Sequence, residues 1–250
     1  MLLRVVDVSK SFDGVSALSK VSVEVAEGET VGVIGPNGSG KTTLFNVISG
    51  FLEPDAGDVH FAGREIRGVP PDRMPGLGVA RVFQAPQLCP TLSLVENVAM
   101  GAYHRAAEGL SSLLRSWART VDMKAVSEAL RLMGLEGRRD AAPGSLSNFE
   151  RRKAEVARAL AAAPKLLLLD EPTSGFTQSE RDAFTEVVET FARAGITTMI
   201  VEHDLSLIRK TCGRVVVLDA GKKVADGTPD AVSKDPKVSE IYVGAAHVAG

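Results

Sequence analysis

Cysteine is nearly absent: Cys89 and Cys212 are the only two in 250 residues. They stand far apart and match no metal-ligand spacing, which predicts two reduced thiols of the kind a cytoplasmic protein keeps. No run of 18 or more apolar residues occurs, so no segment is expected to span a bilayer, and any membrane role must come through a partner. The opening Met1-Leu2-Leu3-Arg4-Val5 lacks the long apolar core of a signal peptide. No charge of one sign dominates: 29 basic and 31 acidic residues give a net charge of −2. With no basic tail or stripe, nucleic acid is not expected as the main partner. There is no internal repeat and no low-complexity segment. What remains is ordinary globular composition, 44% hydrophobic and 24% charged, long enough for one large or two small domains with a sizeable core.

Against that background one stretch stands out. Gly35-Pro36-Asn37-Gly38-Ser39-Gly40-Lys41-Thr42-Thr43 fits the phosphate-binding pattern G-x-x-x-x-G-K-[ST]. Residues 29–34 before it read as a buried strand and residues 42–49 after it as a helix, the context the pattern requires. Glycines let the backbone turn tightly so that successive N–H groups point at phosphate oxygens, and the helix N-terminus adds its positive end. Lys41 places a full charge on β and γ phosphates, and the Thr42 hydroxyl is suited to Mg²⁺.

The rest of the chain arranges itself around that loop. Residues 2–8 and 20–27 alternate apolar and polar, as half-buried antiparallel strands do, with Ser11-Phe12-Asp13-Gly14 as a turn between them. Residues 58–62 and 79–83 read as strands, and Pro70-Pro71-Asp72-Arg73 as a helix start. From about residue 90 to 163 apolar residues recur at helical spacing, as at Leu94 and Val98, Leu110, Leu113, Leu114 and Trp117, then Val126, Leu130 and Met133, then Phe149, Val156 and Leu160. The apolar run Leu166-Leu167-Leu168-Leu169 ending in Asp170 suits a central parallel strand. A helix (179–194), strand (196–202), helix (205–212) and strand (214–218) follow, then a hairpin return over 221–227 and a helical tail from 228. Alternating strand–helix units predict right-handed crossovers.

The expected fold is therefore α/β: a phosphate-loop core with a parallel sheet, an antiparallel β edge and an inserted helical subdomain. The expected layout is one domain, with 1–88 and 164–227 forming the core and its β edge, 89–163 the helical part and 228–250 the tail.

Asp170 and Glu171 stand at the carboxyl end of the buried strand, where open α/β sheets hold ligands. The first can hold Mg²⁺ opposite Thr42, and the second can polarise an attacking water. His203 follows the next strand and could reach a γ-phosphate, although a lone histidine is more often structural. Gln84 ends a strand and carries no message alone. Phe12 is either a base-stacking aromatic or a surface one.

Taken in order, Gly35 to Thr43, Gln84, Leu146-Ser147, Leu166 to Glu171 and His203 resemble the motifs of an ABC-transporter ATPase subunit, over nearly the whole chain. The wording Phe45-Asn46-Val47-Ile48-Ser49-Gly50-Phe51, the strand end Arg81-Val82-Phe83-Gln84 and the helical insert after Glu96-Asn97-Val98 look most like the branched-chain amino acid importers. The resemblance implies ATP and Mg²⁺ as ligands. It makes Phe12 the adenine-stacking aromatic, Gln84 a metal- and water-facing residue that senses the membrane subunit, and Asp170 the Mg²⁺-linked acid. It makes Glu171 the base, His203 the γ-phosphate switch and Ser147 a contact to the partner's nucleotide. It implies a second ATPase subunit, separate permease subunits, a solute-binding protein acting indirectly, and a place on the cytoplasmic face of the membrane. A soluble non-transport ABC ATPase and a regulatory ATP-gated clamp with weak turnover are the rival readings.

Two motifs depart from the family pattern. The signature, roughly L-S-G-G-Q or L-S-Y-G-E, is Leu146-Ser147-Asn148-Phe149-Glu150 here, with phenylalanine at a glycine position. A benzyl group there is expected to crowd the approach to the γ-phosphate and to strain the backbone. The turn after the acid pair, Gly-Leu-Asp or Gly-Leu-Asn in the family, is Gly175-Phe176-Thr177. Family subunits sandwich ATP between one phosphate loop and the other subunit's signature. Both departures therefore fall on the partner's nucleotide, which predicts an unlike second subunit; the alternative, a homodimer, would place a poor signature at both sites and is expected to hydrolyse slowly.

Overall fold

The structure is a computed structural model and describes residues 1–85, 87–103, 121–203 and 205–241. Pro86, the helical spacing expected at Leu110, Leu113, Leu114 and Trp117, and the end of the expected tail lie outside the described residues.

The β-branched and leucine-rich runs pair into two sheets. Strands β1 (Leu3–Phe12), β2 (Val15–Val25), β4 (Ala56–Phe61) and β5 (Arg64–Glu65) form an antiparallel sheet in the order β2-β1-β4-β5. Strands β3 (Thr30–Ile34), β6 (Val79–Val82), β7 (Leu166–Asp170), β8 (Thr197–Val201), β9 (Arg214–Asp219) and β10 (Lys222–Gly227) form the second, ordered β10-β9-β3-β8-β7-β6. Every pairing in that sheet is parallel except β10 on β9. The helices are α1 (Lys41–Ile48), α2 (Met74–Leu77), α3 (Leu94–Ala102), α4 (Met123–Leu132), α5 (Asn148–Ala161), α6 (Gln178–Arg193), α7 (Leu205–Thr211) and α8 (Pro229–Ser233). Between β6 and β7 the described residues hold α-helices and short 3₁₀ turns and no strand.

Residues of β3, β7 and β8 are buried throughout, which is why they read as continuous apolar runs rather than alternating ones. Alternate leucines of β7 serve two cores. Leu166 and Leu168 join α1 and the antiparallel sheet, whereas Leu167 and Leu169 join α3, α4, α5 and α6. Each such leucine contributes about 1.5–3 kcal/mol on burial, so β7 is the seam that holds the acid pair at its end in place.

Two boundaries differ from the sequence reading. The first hairpin runs on to a tight Asp13-Gly14 turn, making Phe12 the last residue of β1. Register shifts near Val8, Lys10 and Ser11, with positive φ at Asp7 and Lys20, interrupt the two-residue alternation that would have marked these strands. The helix expected to start at Pro70 begins instead at Met74, with Pro75 in its first turn, after a turn through residues 71–73.

Candidate functional site

The loop from Gly35 to Gly40 connects β3, central in the parallel sheet, to α1. Gly40 caps α1 at φ 103°, and a Cβ on it would meet Ala17 O at 2.5 Å. At Gly35 a Cβ would lie 2.1 Å from Leu218 O. Only glycine fits at either place. Helix α1 begins without a side-chain cap and without an acid in its first turn, which leaves its N-terminal N–H groups to an anionic ligand. Asn37, Gly38 and Thr42 are exposed, whereas Ser39 and Lys41 are buried. Lys41 Nζ donates to Gly35 O at 2.8 Å and to Pro36 O at 2.9 Å, so the ammonium is folded into the loop that it would serve. Burial holds its pKa below the usual lysine range, and the carboxylates of Glu171 and Asp170 oppose that shift.

The acid pair closes the other side. Glu171 follows β7 in a left-handed conformation, φ 45°, which costs roughly 1–3 kcal/mol in a non-glycine residue. That backbone turn aims its carboxylate between two side chains from other strand ends. Gln84 Nε2 donates to Glu171 Oε2 at 2.7 Å, and His203 Nε2 lies 2.9 Å from Glu171 Oε1. With its proton on Nε2 the imidazole donates that bond. A polar cleft of about 420 Å³ opens beside this group, lined by Glu171, Thr173, Gly175, Gln178, Glu202 and His203. The structure thus gathers Gln84, Glu171 and His203 at the carboxyl edge of one parallel sheet, next to Asp170 and the phosphate loop.

Phe12 and Ser147 stand apart from that group. Phe12 ends β1 with its ring half exposed, 5.8 Å from Lys10 Nζ, on the hairpin whose β2 passes against Gly40. Ser147 caps α5: its hydroxyl accepts from Glu150 N at 3.1 Å, and Glu150 accepts from Ser147 N at 2.9 Å. This reciprocal pair keeps the Glu150 carboxyl below its usual pKa, chiefly through the Ser147 N–H.

Phe149 corrects the sequence reading. It is the second residue of α5, is not among the residues with positive φ, and carries no glycine-only strain. Its ring turns into this chain's own core, edge-on to Phe176 at 5.2 Å between centroids, with Lys153 Nζ 5.2 Å from it. The expected backbone strain is therefore absent, and the ring is half-buried, while Ser147 and Asn148 beside it are exposed. Phe176 in turn packs on Phe184. The two departures from the family pattern are thus one contact. Thr177 also has a local reason, since its hydroxyl and Glu180 form a capping box that starts α6.

Two buried residues at the site had no expected role. Arg81 Nη2 donates to Asp170 Oδ2 at 2.7 Å, with side chains 5% and 7% exposed. Its Nη1 donates to Asn46 Oδ1 and Ser49 Oγ, and its guanidinium lies 4.7 Å from the Phe83 ring centroid. Glu202 takes the Thr173 N–H at 2.9 Å and hydroxyl at 2.5 Å, as well as His203 N–H at 2.9 Å, tying two strand ends together. A charge next to a buried strand end was the available sequence signal in both cases. Oxygen donors at Thr42, Gln84 and Asp170 suit a hard cation such as Mg²⁺, and with Arg81 on one oxygen of Asp170 the other is directed away from that ion pair.

A glycine-lined anion cradle between a parallel strand and an uncapped helix, beside an acid pair at the end of the neighbouring buried strand, is the architecture of a phosphate-loop nucleotide hydrolase. Residues 18–174 match the family model described as ABC transporter. The probable branched-chain amino acid transport ATP-binding protein LivG of Archaeoglobus fulgidus is 34% identical, over 98% of this chain and 96% of the relative. The high-affinity branched-chain amino acid transport ATP-binding protein BraF of Pseudomonas aeruginosa is 32% identical over 98% of each. A crystal structure described as the ADP conformation of an ATP-binding cassette of an ABC transporter superposes with TM-score 0.85 at 33% identity, covering 97% of this chain and 98% of that one. The chain belongs to the ABC transporter family and is an ATPase of that type.

Proposed function

We propose that this chain hydrolyses ATP to drive import of branched-chain or related amino acids through separate membrane subunits, from the cytoplasmic face of the membrane. The observation that carries the catalytic part is the Glu171 carboxylate held between Gln84 and His203 beside the phosphate loop. In this reading the backbone N–H groups from Gly35 to Thr43 and the Lys41 ammonium bind the phosphates. Thr42, Asp170 and Gln84 hold Mg²⁺, which when bound neutralises charge on the β and γ oxygens. Glu171 accepts a proton from the attacking water, Gln84 and His203 orient that carboxylate, and His203 turns to the γ-phosphate. Phe12 stacks on adenine.

The nucleotide is closed in by a second ATPase subunit packed head to tail, whose site Ser147 serves. With Phe149 packed against this chain's own core, the departures no longer require an unlike second subunit, and a homodimer fits this geometry as well as a heterodimer. Among the described residues no helix is long and apolar enough to cross a membrane, which suits docking on separate permeases reached indirectly by a solute-binding protein. The balanced charge gives no reason to add nucleic acid.

The test is the complete complex reconstituted in vesicles with its solute-binding protein. Branched-chain amino acids are expected to stimulate ATP hydrolysis and to accumulate in an ATP-dependent way, and Lys41→Ala is expected to remove nucleotide binding at this chain's site. Hydrolysis indifferent to those solutes would defeat the substrate assignment, and near-normal ATP affinity in Lys41→Ala would defeat the phosphate-loop assignment.

A further inference from the structure

Helix α5 carries more charge inside the protein than its role as a helix requires. Arg152 and Glu155, one turn apart, are each 3% exposed and paired at 3.0 Å. Desolvating such a pair costs several kcal/mol per ion unless further hydrogen bonds satisfy it. Here those bonds go to the backbone of the segment that carries Gln84. The Arg152 guanidinium donates to the carbonyls of Phe83 and Gln84, and the Glu155 carboxylate accepts the Gln87 N–H. Arg158, one turn further, donates to Gln87 O at 2.8 Å. The far end of the same segment is held by Asn97, fully buried, which bonds both N–H and C=O of Cys89. Loops rarely receive this many buried charged contacts, because their backbone groups normally find water. The segment is strapped to α5, and among its described residues the side chain that reaches the acid pair is Gln84, 2.7 Å from Glu171.

The start of α5 is the signature Ser147-Asn148-Phe149-Glu150, and Arg152 stands about 7 Å along the helix axis from its cap. We propose that Arg152 and Glu155 are positioning residues that make α5 and the Gln84 segment move as one body. A nucleotide drawn to the α5 N-terminus by the partner subunit thereby sets the contact of Gln84 with Glu171 at this chain's own nucleotide. The coupling half rests on the head-to-tail reading above; the clamp half rests only on the contacts within this chain. A buried ion pair is rigid in the needed sense, since an arginine fork spanning two carbonyls and a carboxylate has little freedom to shear.

The test uses the complete complex, with Glu171→Gln to hold ATP, and measures hydrogen exchange over residues 83–89 with and without ATP. Arg152→Met with Glu155→Leu removes both charges together, so neither is left buried alone. In the Glu171→Gln complex ATP is expected to slow exchange in this segment. In the clamp variant exchange is expected to rise roughly tenfold, as local opening of the segment becomes easier, and to ignore ATP. Exchange still slowed by ATP to the original extent would overturn the proposal.

With Glu171 restored, the clamp variant is expected to lose roughly tenfold in kcat with KM for ATP little changed, and adding Gln84→Ala is expected to cost almost nothing more. Full multiplication of the two losses would show that the clamp does not act through Gln84, which also overturns it. Should the double variant fail to fold, Arg152→Lys decides. It keeps the ion pair but cannot span both carbonyls, so wild-type exchange and kcat in that variant would overturn the clamp. If ATP protects neither this segment nor the phosphate loop in the Glu171→Gln complex, the functional reading fails and the coupling half falls with it. The clamp half is then decided by the exchange difference without ATP.

Discussion

The edge that carries the phosphate loop and the edge that carries the starts of α5 and α6 are built on different plans. At the first, side chains from two strand ends converge on a single carboxylate at a third, Glu171, and the helix beside the phosphate loop is left uncapped. At the second, both helix starts are capped from within, Ser147 with Glu150 and Thr177 with Glu180, and the departing aromatics are stacked against each other. The first edge leaves its helix start uncapped for a ligand; the second engages some of the donors at its helix starts in local structure. A departure from a family motif is therefore not by itself a damaged site. Phe149 would spoil the partner's nucleotide only if its ring pointed outward, and Phe176, unusual in the same way, gives it a place inside.

The sharpest way to break this comparison is to remove the group on which the first edge converges. Glu171→Gln keeps the shape but offers one acceptor oxygen where the carboxylate has two and cannot take a proton, so the hydrolysis rate at this chain's site is expected to fall roughly 10²–10⁴-fold with ATP still bound. Unchanged turnover in the complete complex, with the partner's own site silenced, would show that the base lies elsewhere. Next in size is Arg81→Met, which leaves Asp170 buried without its cation. A loss of about 3–5 kcal/mol of stability is expected in denaturant unfolding, and a loss under 1 kcal/mol would mean that water replaces the guanidinium.

The second edge is tested by Phe149→Gly. Because the half-buried ring packs against the core and glycine is a poor helix former, about 1–3 kcal/mol of stability should disappear without any gain in hydrolysis at the partner's site, even when Asn148→Gly is added. A rise in the partner-site rate with Glu171→Gln present would place the ring at the phosphate after all. The smallest effect is Thr177→Ala, expected to cost about 1 kcal/mol through the lost cap. Thr177→Asp should restore it, since an aspartate caps as well. If the aspartate variant instead raises turnover, Thr177 does more than begin α6.

Much of the first edge was legible because its information is local. Strand, glycine loop and helix follow one another from Thr30 to Ile48, and the glycine requirement arises from backbone angles that the motif itself dictates. The continuous leucines of β7 and the acids after them were readable for the same reason, since burial on both faces leaves a run without alternation. The first hairpin was read short because bulges hide its alternation between Val8 and Lys20. The second edge was misread at Phe149 because its partner, Phe176, is remote in the chain. Arg81 and Arg152 were missed on the same ground: their acceptors lie 89 residues away at Asp170 and 68 to 69 away at Gln84 and Phe83.

The amino-acid order alone thus determined the family, the phosphate loop, the order of strands and helices, and the place of the acid pair at the end of β7, because each rests on short-range backbone geometry or on runs of burial. Only the tertiary structure decided which way Phe149 faces, that Arg81 is the counter-ion of Asp170, and that α5 holds the segment bearing Gln84. Those are choices among side-chain partners, and a side chain's partner is set by which distant elements the sheet order brings within about 3–5 Å of it.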